Sequence, residues 1–131
     1  MIILLIPGKP IPYKPPRVNS NITFNPRYEE KRYVQNVIKE QYNEHLLDST
    51  VIVDYIFNFS IPISFSKKKR LEAINGSMFF DKRPDTSNLM KFFDDCLIDI
   101  VIKDDSQIVR VSAEKRYSSK EGTIIKITPI T

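Results

Sequence analysis

Three rhythms of apolar and polar residues run along the chain, and each predicts a different kind of element. Ile2 to Ile6 is continuously apolar and ends at Pro7-Gly8, which predicts a short buried strand. From Gly8 to Arg17 the prolines remove backbone donors and push their predecessors into extended geometry. That stretch is expected to be an ordered extended loop carrying Lys9, Lys14 and Arg17. Near Pro26 the rhythm changes: Tyr33, Val34, Val37, Ile38 and Tyr42 recur every three or four residues, the face of an amphipathic helix closed by Leu46 to Ser49. Val51 to Ile61 then alternates β-branched and aromatic residues with mixed ones, predicting a long strand. Ser66 to Ala73 is a basic stretch suited to a short helix, ended by Asn75-Gly76.

The segment Asp85 to Ile100 carries the clearest helical signal. Leu89, Phe92, Phe93, Cys96, Leu97 and Ile100 form one apolar stripe, with Asn88, Lys91 and Asp95 on the other side. A turn at Lys103-Asp104-Asp105 leads into a strand from Gln107 to Tyr117, a hairpin turn over Ser118 to Gly122, and a closing strand from Thr123 to Thr128. The order β-α-β-(α)-α-β-β predicts one α+β domain over residues 1–131, with helices packed on a single sheet.

Composition narrows the chemistry. At 41% apolar residues, 131 residues can build a core without disulfide or metal staples. One cysteine, Cys96, and one histidine, His45, exclude a disulfide framework, a multi-cysteine zinc site and His-rich metal sites. Three glycines against nine prolines leave no P-loop or dinucleotide fingerprint, so no nucleotide cofactor is expected. The apolar run at Met1 to Ile6 is far shorter than the roughly 20 residues a membrane span needs, and it lacks a charged leader. A reduced, cytoplasmic setting with no membrane association is expected. The net charge of +4 is compatible with an anionic partner without naming one.

Two acidic clusters flank the central helix: Arg83-Pro84-Asp85-Thr86-Ser87-Asn88 before it and Lys103-Asp104-Asp105-Ser106-Gln107 after it. A helix of about 14 residues is about 21 Å long, so the clusters meet only if the next strand runs back along the sheet or a second subunit intervenes. Carboxylates without histidines or thiolates suit a hard cation such as Mg²⁺. Beside it, Lys91 would offset charge developing on a phosphodiester. Basic residues Lys9, Lys14, Arg17, Lys67, Lys68, Lys69, Arg70, Lys82, Arg83, Lys115 and Arg116 would hold a nucleic-acid backbone.

Arg83-Pro-Asp85-Thr-Ser-Asn88-Leu-Met-Lys91, then Asp95 and Leu97, then Lys103-Asp104-Asp105-Ser-Gln107-Ile, resembles the signature of RusA-type Holliday-junction endodeoxyribonucleases. The opening Pro-Gly-Lys-Pro-Ile-Pro with the following Arg17 resembles phage and prophage members of that family. The resemblance implies a mixed sheet with helices packed on it and a homodimeric, Mg²⁺-dependent resolvase, with Mn²⁺ able to substitute, that nicks four-way DNA junctions symmetrically. It gives Asp85 and Asp105 the metal-binding places, with Asp104 helping, and Lys91 the place of the catalytic lysine. Ser87, Asn88, Asp95 and Gln107 fall on motif positions as orienting groups.

One departure stands out. The family's first motif typically reads Asp-x-Asp-Asn, and here Ser87 occupies the second carboxylate's place. A neutral hydroxyl is a weaker ligand, which opens the alternative of a junction-binding protein with a degraded metal site. Plain structural readings also exist: Asp85 as a helix cap, Asp104-Asp105 as a polar turn, Lys91 with Asp95 as a helix-surface pair, and Lys67 to Arg70 as a solvated charge run.

Overall fold

The computed structural model describes residues 1–19 and 22–130, and at 17, 19 and 22–24 the backbone alone. The long alternating segment becomes β4, Thr50–Ser60, the strand on which the rest is organised. Val51, Val53, Tyr55, Phe57 and Phe59 are buried on one face, and Ile52, Asp54, Ile56 and Asn58 are half-buried on the other. A strand that apolar gains most by taking an inner place, with a neighbour on each side. It lies between β5, Ile108–Ser118, and β6, Gly122–Ile130, in a four-stranded sheet of order β1-β6-β4-β5. The edge strand β1, Ile2–Pro7, and β4 both run antiparallel to β6, while β4 and β5 run parallel. The sheet is therefore mixed, and the α+β expectation holds.

Parallel β4 and β5 require a crossover. It is made by α2, Lys67–Ile74, and α3, Thr86–Leu97. The apolar stripe of α3 is buried as its spacing predicts: Leu89, Phe92, Phe93, Cys96 and Leu97 face the core. Phe93 meets Tyr55 and Phe57 of β4, with ring centroids 6.2 and 5.7 Å apart. Helix α1, Tyr28–Gln41, lies against α3 and β1 and buries Val34 and Ile38. No described helix is long and apolar enough to cross a membrane.

Four local expectations change. Residues 118–122 do not close a hairpin, because β4 lies between β5 and β6. Ser118 is level with Ser60 and Gly122 with Asn58, so the link passes over the end of β4. Gly122 is needed there: a Cβ would sit 3.0 Å from the Ile6 carbonyl oxygen. The proline-rich loop gives way at Arg17 to a small antiparallel pair, β2, Arg17–Asn19, and β3, Ile22–Phe24; strands of three residues are too short to show alternation. Helix α1 stops at Gln41, well before Leu46, and Tyr42 takes up extended backbone, its hydroxyl donating to the His45 carbonyl at 2.6 Å. Tyr33 is half exposed instead of facing the core, and Val37 is half-buried.

Two outcomes are expected of this core. Phe93→Ala empties a site walled by three aromatic rings and should lower unfolding free energy by about 3–5 kcal/mol in urea titrations. Burial pushes the Cys96 thiol up to about 12, so native protein at pH 8 should resist iodoacetamide and react only once denatured.

Candidate functional site

The apolar stripe of α3 fixes the helix's rotation, and so fixes what the other side presents. Ser87, Met90, Lys91, Asp94 and Asp95 line an open cavity of about 280 Å³, closed on its far side by Asp105 and by Val111 of β5. The two acidic motifs therefore do approach each other, but through the middle of α3 and not through its first residue. Asp85 is the N-cap, extended and exposed, with no side-chain capping bond, and it is not among the residues lining this cavity.

Asp105 reaches the cavity because the chain folds back tightly after α3. Asp99 adopts positive φ (67°), its amide donates to the Ile102 carbonyl at 2.7 Å, and Ile100, Val101 and Ile102 are buried beneath. A single 3₁₀ turn, Asp105–Gln107, follows. Asp104 caps it by accepting from the Ser106 amide at 3.0 Å, and that bonding holds its carboxyl below the usual carboxylate range. Gln107 anchors the turn. Its Oε1 accepts from the Lys103 and Asp104 amides at 2.7 and 3.0 Å, and its Nε2 donates to the Leu47 and Ser49 carbonyls at 2.9 and 2.8 Å.

Lys91 is held from the N-terminal loop. Its ammonium lies 4.7 Å from the centre of the Tyr13 ring, and the Tyr13 amide donates to the Asn88 carbonyl at 2.9 Å. Arg27 steadies the same loop through the Pro12 carbonyl at 3.2 Å. Among the described residues Lys91 forms no ion pair with a carboxylate within 4 Å. Asn88 is exposed beside it.

Asp94 and Tyr55 went unnoticed in the sequence. The buried Tyr55 hydroxyl donates to Asp94 Oδ1 at 2.5 Å. Burial raises the Asp94 carboxyl; the Tyr55 bond pulls it back, Asp95 and Asp105 raise it, and Lys91 lowers it. Burial, with Asp94 alongside, raises the Tyr55 phenol well above its ordinary value and keeps it a donor. The available signal was spacing, since Asp94 stands three residues after Lys91 and seven after Ser87 on one helical face.

The basic residues divide. Lys9, Lys14, Lys67, Lys68, Lys69, Lys82 and Arg83 are exposed. Lys115 is turned inward: its ammonium donates to the Lys82 and Pro84 carbonyls at 2.6 and 3.0 Å, pinning the loop that leads to Asp85. Arg70 bonds the Pro62 carbonyl, and Arg116 pairs with Glu114. The Arg17 side chain lies outside the described residues.

The cavity's ligating groups are oxygens alone, three carboxylates against one ammonium, a set suited to a hard divalent cation. Among the described residues no group of three acidic, histidine or cysteine side chains could enclose an ion. One or two carboxylates plus substrate phosphates is the arrangement Mg²⁺ commonly uses. A larger cavity of about 760 Å³ between α1 and the β1-β6 edge includes no residue of either acidic motif.

The family model for the endodeoxyribonuclease RusA matches residues 7–128, which takes in both motifs, all three helices and every strand but β1 and the last two residues of β6. The chain belongs to the RusA endodeoxyribonuclease family. It is also 30% identical over 103 residues to the uncharacterized protein YqaN of Bacillus subtilis (strain 168), covering 77% of this chain and 72% of that protein. Membership in the RusA family makes DNA phosphodiesters the relevant substrate class.

Gln107→Glu keeps both acceptor bonds and loses both donors to carbonyls. It should lower stability by about 1–3 kcal/mol in chemical denaturation and broaden the amide resonances of residues 103–106.

Proposed function

We propose that this RusA-family protein is a divalent-metal-dependent endodeoxyribonuclease that resolves four-way DNA junctions by symmetric hydrolysis, working as a two-fold homodimer in the cytoplasm. The observation that carries the reading is that Asp105 and Lys91, from two separate motifs, line one open cavity. In this reading Asp105 holds the cation, Mg²⁺ or Mn²⁺, from within the cavity with Asp104 beside it, and Asp85 contributes from outside the cavity's lining. When bound, such a cation supplies Lewis acidity toward a phosphate oxygen and activates water.

The chain's own groups do the rest. Lys91 presents its ammonium to the charge that develops on the phosphate, and the Tyr13 ring restricts where that ammonium can go. Gln107 keeps the Asp104-Asp105 turn in register with the entry to β4. Lys9, Lys14, Arg17, Lys67, Lys68, Lys69, Lys82 and Arg83 grip the DNA backbone; Arg70, Arg116 and Lys115 join them at the surface where their internal bonds leave a face free. Ser87 and Asp95 orient groups within the cavity, and Asn88 does so from beside it. Two identical cuts placed symmetrically need two copies of this site, hence the two-fold dimer.

Ser87 favours one second reading, a junction-binding protein whose metal capture is impaired. A synthetic four-way junction incubated with Mg²⁺ or Mn²⁺ separates the two. Paired nicks are expected, with Asp105→Asn and Lys91→Ala each slowing cleavage by roughly 100-fold or more while leaving junction affinity intact. Junction binding with no cleavage at any level of either ion, and cleavage gained by Ser87→Asp, would establish the second reading instead.

A further inference from the structure

The two edges of the sheet are finished differently. At β1 the chain supplies its own cover: the Gln41 side chain accepts from the Leu5 amide at 2.8 Å and donates to the Leu5 carbonyl at 2.7 Å, the two bonds a neighbouring strand would make. At β5, which ends the other side of the sheet, no such cover is present among the described residues. One isolated bridge, Phe79 with Arg116, meets its C-terminal end. Before that the edge is open, with Val109 57% and Val111 41% exposed. An unpaired strand edge of this kind is a template for another strand.

Only part of that edge is regular. Ile108 pairs with Val51 and Arg110 with Ile52, so Val109 is the extra residue of a bulge, and unbroken register with β4 begins at Arg110. At the other end Lys115 is committed to the Lys82 and Pro84 carbonyls. Arg110 to Glu114 is therefore the run a second strand can use, and its middle residue is Ser112. Two copies of β5 pair antiparallel about a two-fold axis perpendicular to the sheet, which sets residues of the same face opposite one another. An axis at Arg110 or Glu114 sets a charge against itself. One at Ala113 sets Arg110 against Arg116, and one at Val111 leaves Arg110 facing Ser112. An axis at Ser112 sets Arg110 of each copy against Glu114 of the other, twice over, with Val111 against Ala113 on the inner face. Glu114, which already pairs with Arg116 of its own strand, then lies between two guanidinium groups.

We infer that the free edge of β5 is where two copies of this chain join, in an antiparallel pair centred on Ser112 that runs the two sheets into one. The inference rests on the proposed two-fold dimer and supplies the surface that reading leaves open. Val111 lines the cavity that Lys91 and Asp105 share, so the pairing brings both cavities to one face of the joined sheet, related by the axis.

Analytical ultracentrifugation of the full-length protein across a concentration series, together with cross-linking, tests this. The parent is expected to dimerise. Arg110→Glu and Glu114→Arg each set like charges opposite one another and should weaken dimerisation roughly tenfold; the protein carrying both changes exchanges the charges and should regain most of it. Ser112→Cys brings two thiols together across the axis, and copper-phenanthroline should link the copies through them, Cys96 being buried. A dimer that ignores the single reversals, is not rescued by the double change, or forms no link in the Ser112→Cys protein overturns the inference and leaves the two-fold nuclease reading standing on another surface. A protein monomeric at every concentration overturns both and leaves this edge to a foreign strand.

Discussion

The packing of the α3 stripe on β4 governs where every polar group of the site can stand. Phe93 against Tyr55 and Phe57, with Leu89, Cys96 and Leu97 buried alongside, locks the helix's rotation about its axis. Successive side chains on a helix are about 100° apart, so fixing one face fixes the opposite one. Ser87, Lys91 and Asp94 look into the cavity because Phe92, Phe93 and Cys96 look away from it. A helix held only by polar contacts would leave those groups free to turn.

The second acidic motif reaches the same place by a different physical route. Its turn has little apolar surface of its own; burial of Ile100, Val101 and Ile102 just before it supplies the anchor, and the Gln107 amide ties it to the start of β4. The site thus belongs to the β4-α3-β5 crossover as a unit, with one wall on the helix and the other at the mouth of the parallel strand. Like charges gathered at that mouth oppose one another in the free protein. Lys91, kept near by Tyr13, and the Tyr55 hydroxyl offset part of that repulsion. A divalent cation between the walls would offset more of it, which is why an oxygen-only, net acidic cavity suits one.

Much of the fold was legible because its signals are local. The alternation in β4 and the three-and-four spacing in α3 each recur over three turns or five strand pairs, long enough to name the element and the buried face. The motif residues were legible as motifs, and the RusA assignment follows from their order along the chain. The weaker readings failed where the signal was short or degenerate. Ser118 to Gly122 has the length and composition of a hairpin turn, and nothing local says that β4 stands between the strands it joins. Tyr33 keeps helical spacing with Val34 and Val37 yet lies on the exposed edge of the stripe, since a stripe's width depends on what it meets.

The sequence by itself determined the long strands and helices, the α3 stripe, the family and the identity of the two acidic motifs, because propensity, spacing and motif order act between residues close along the chain. Only the tertiary structure decided that Asp105 meets the middle of α3, that Asp85 stays outside that cavity, and that Tyr55 grips Asp94 across 39 residues. Those are facts about which surfaces bury one another. No periodicity in one segment can report how deep a hydroxyl from another strand will lie beneath it.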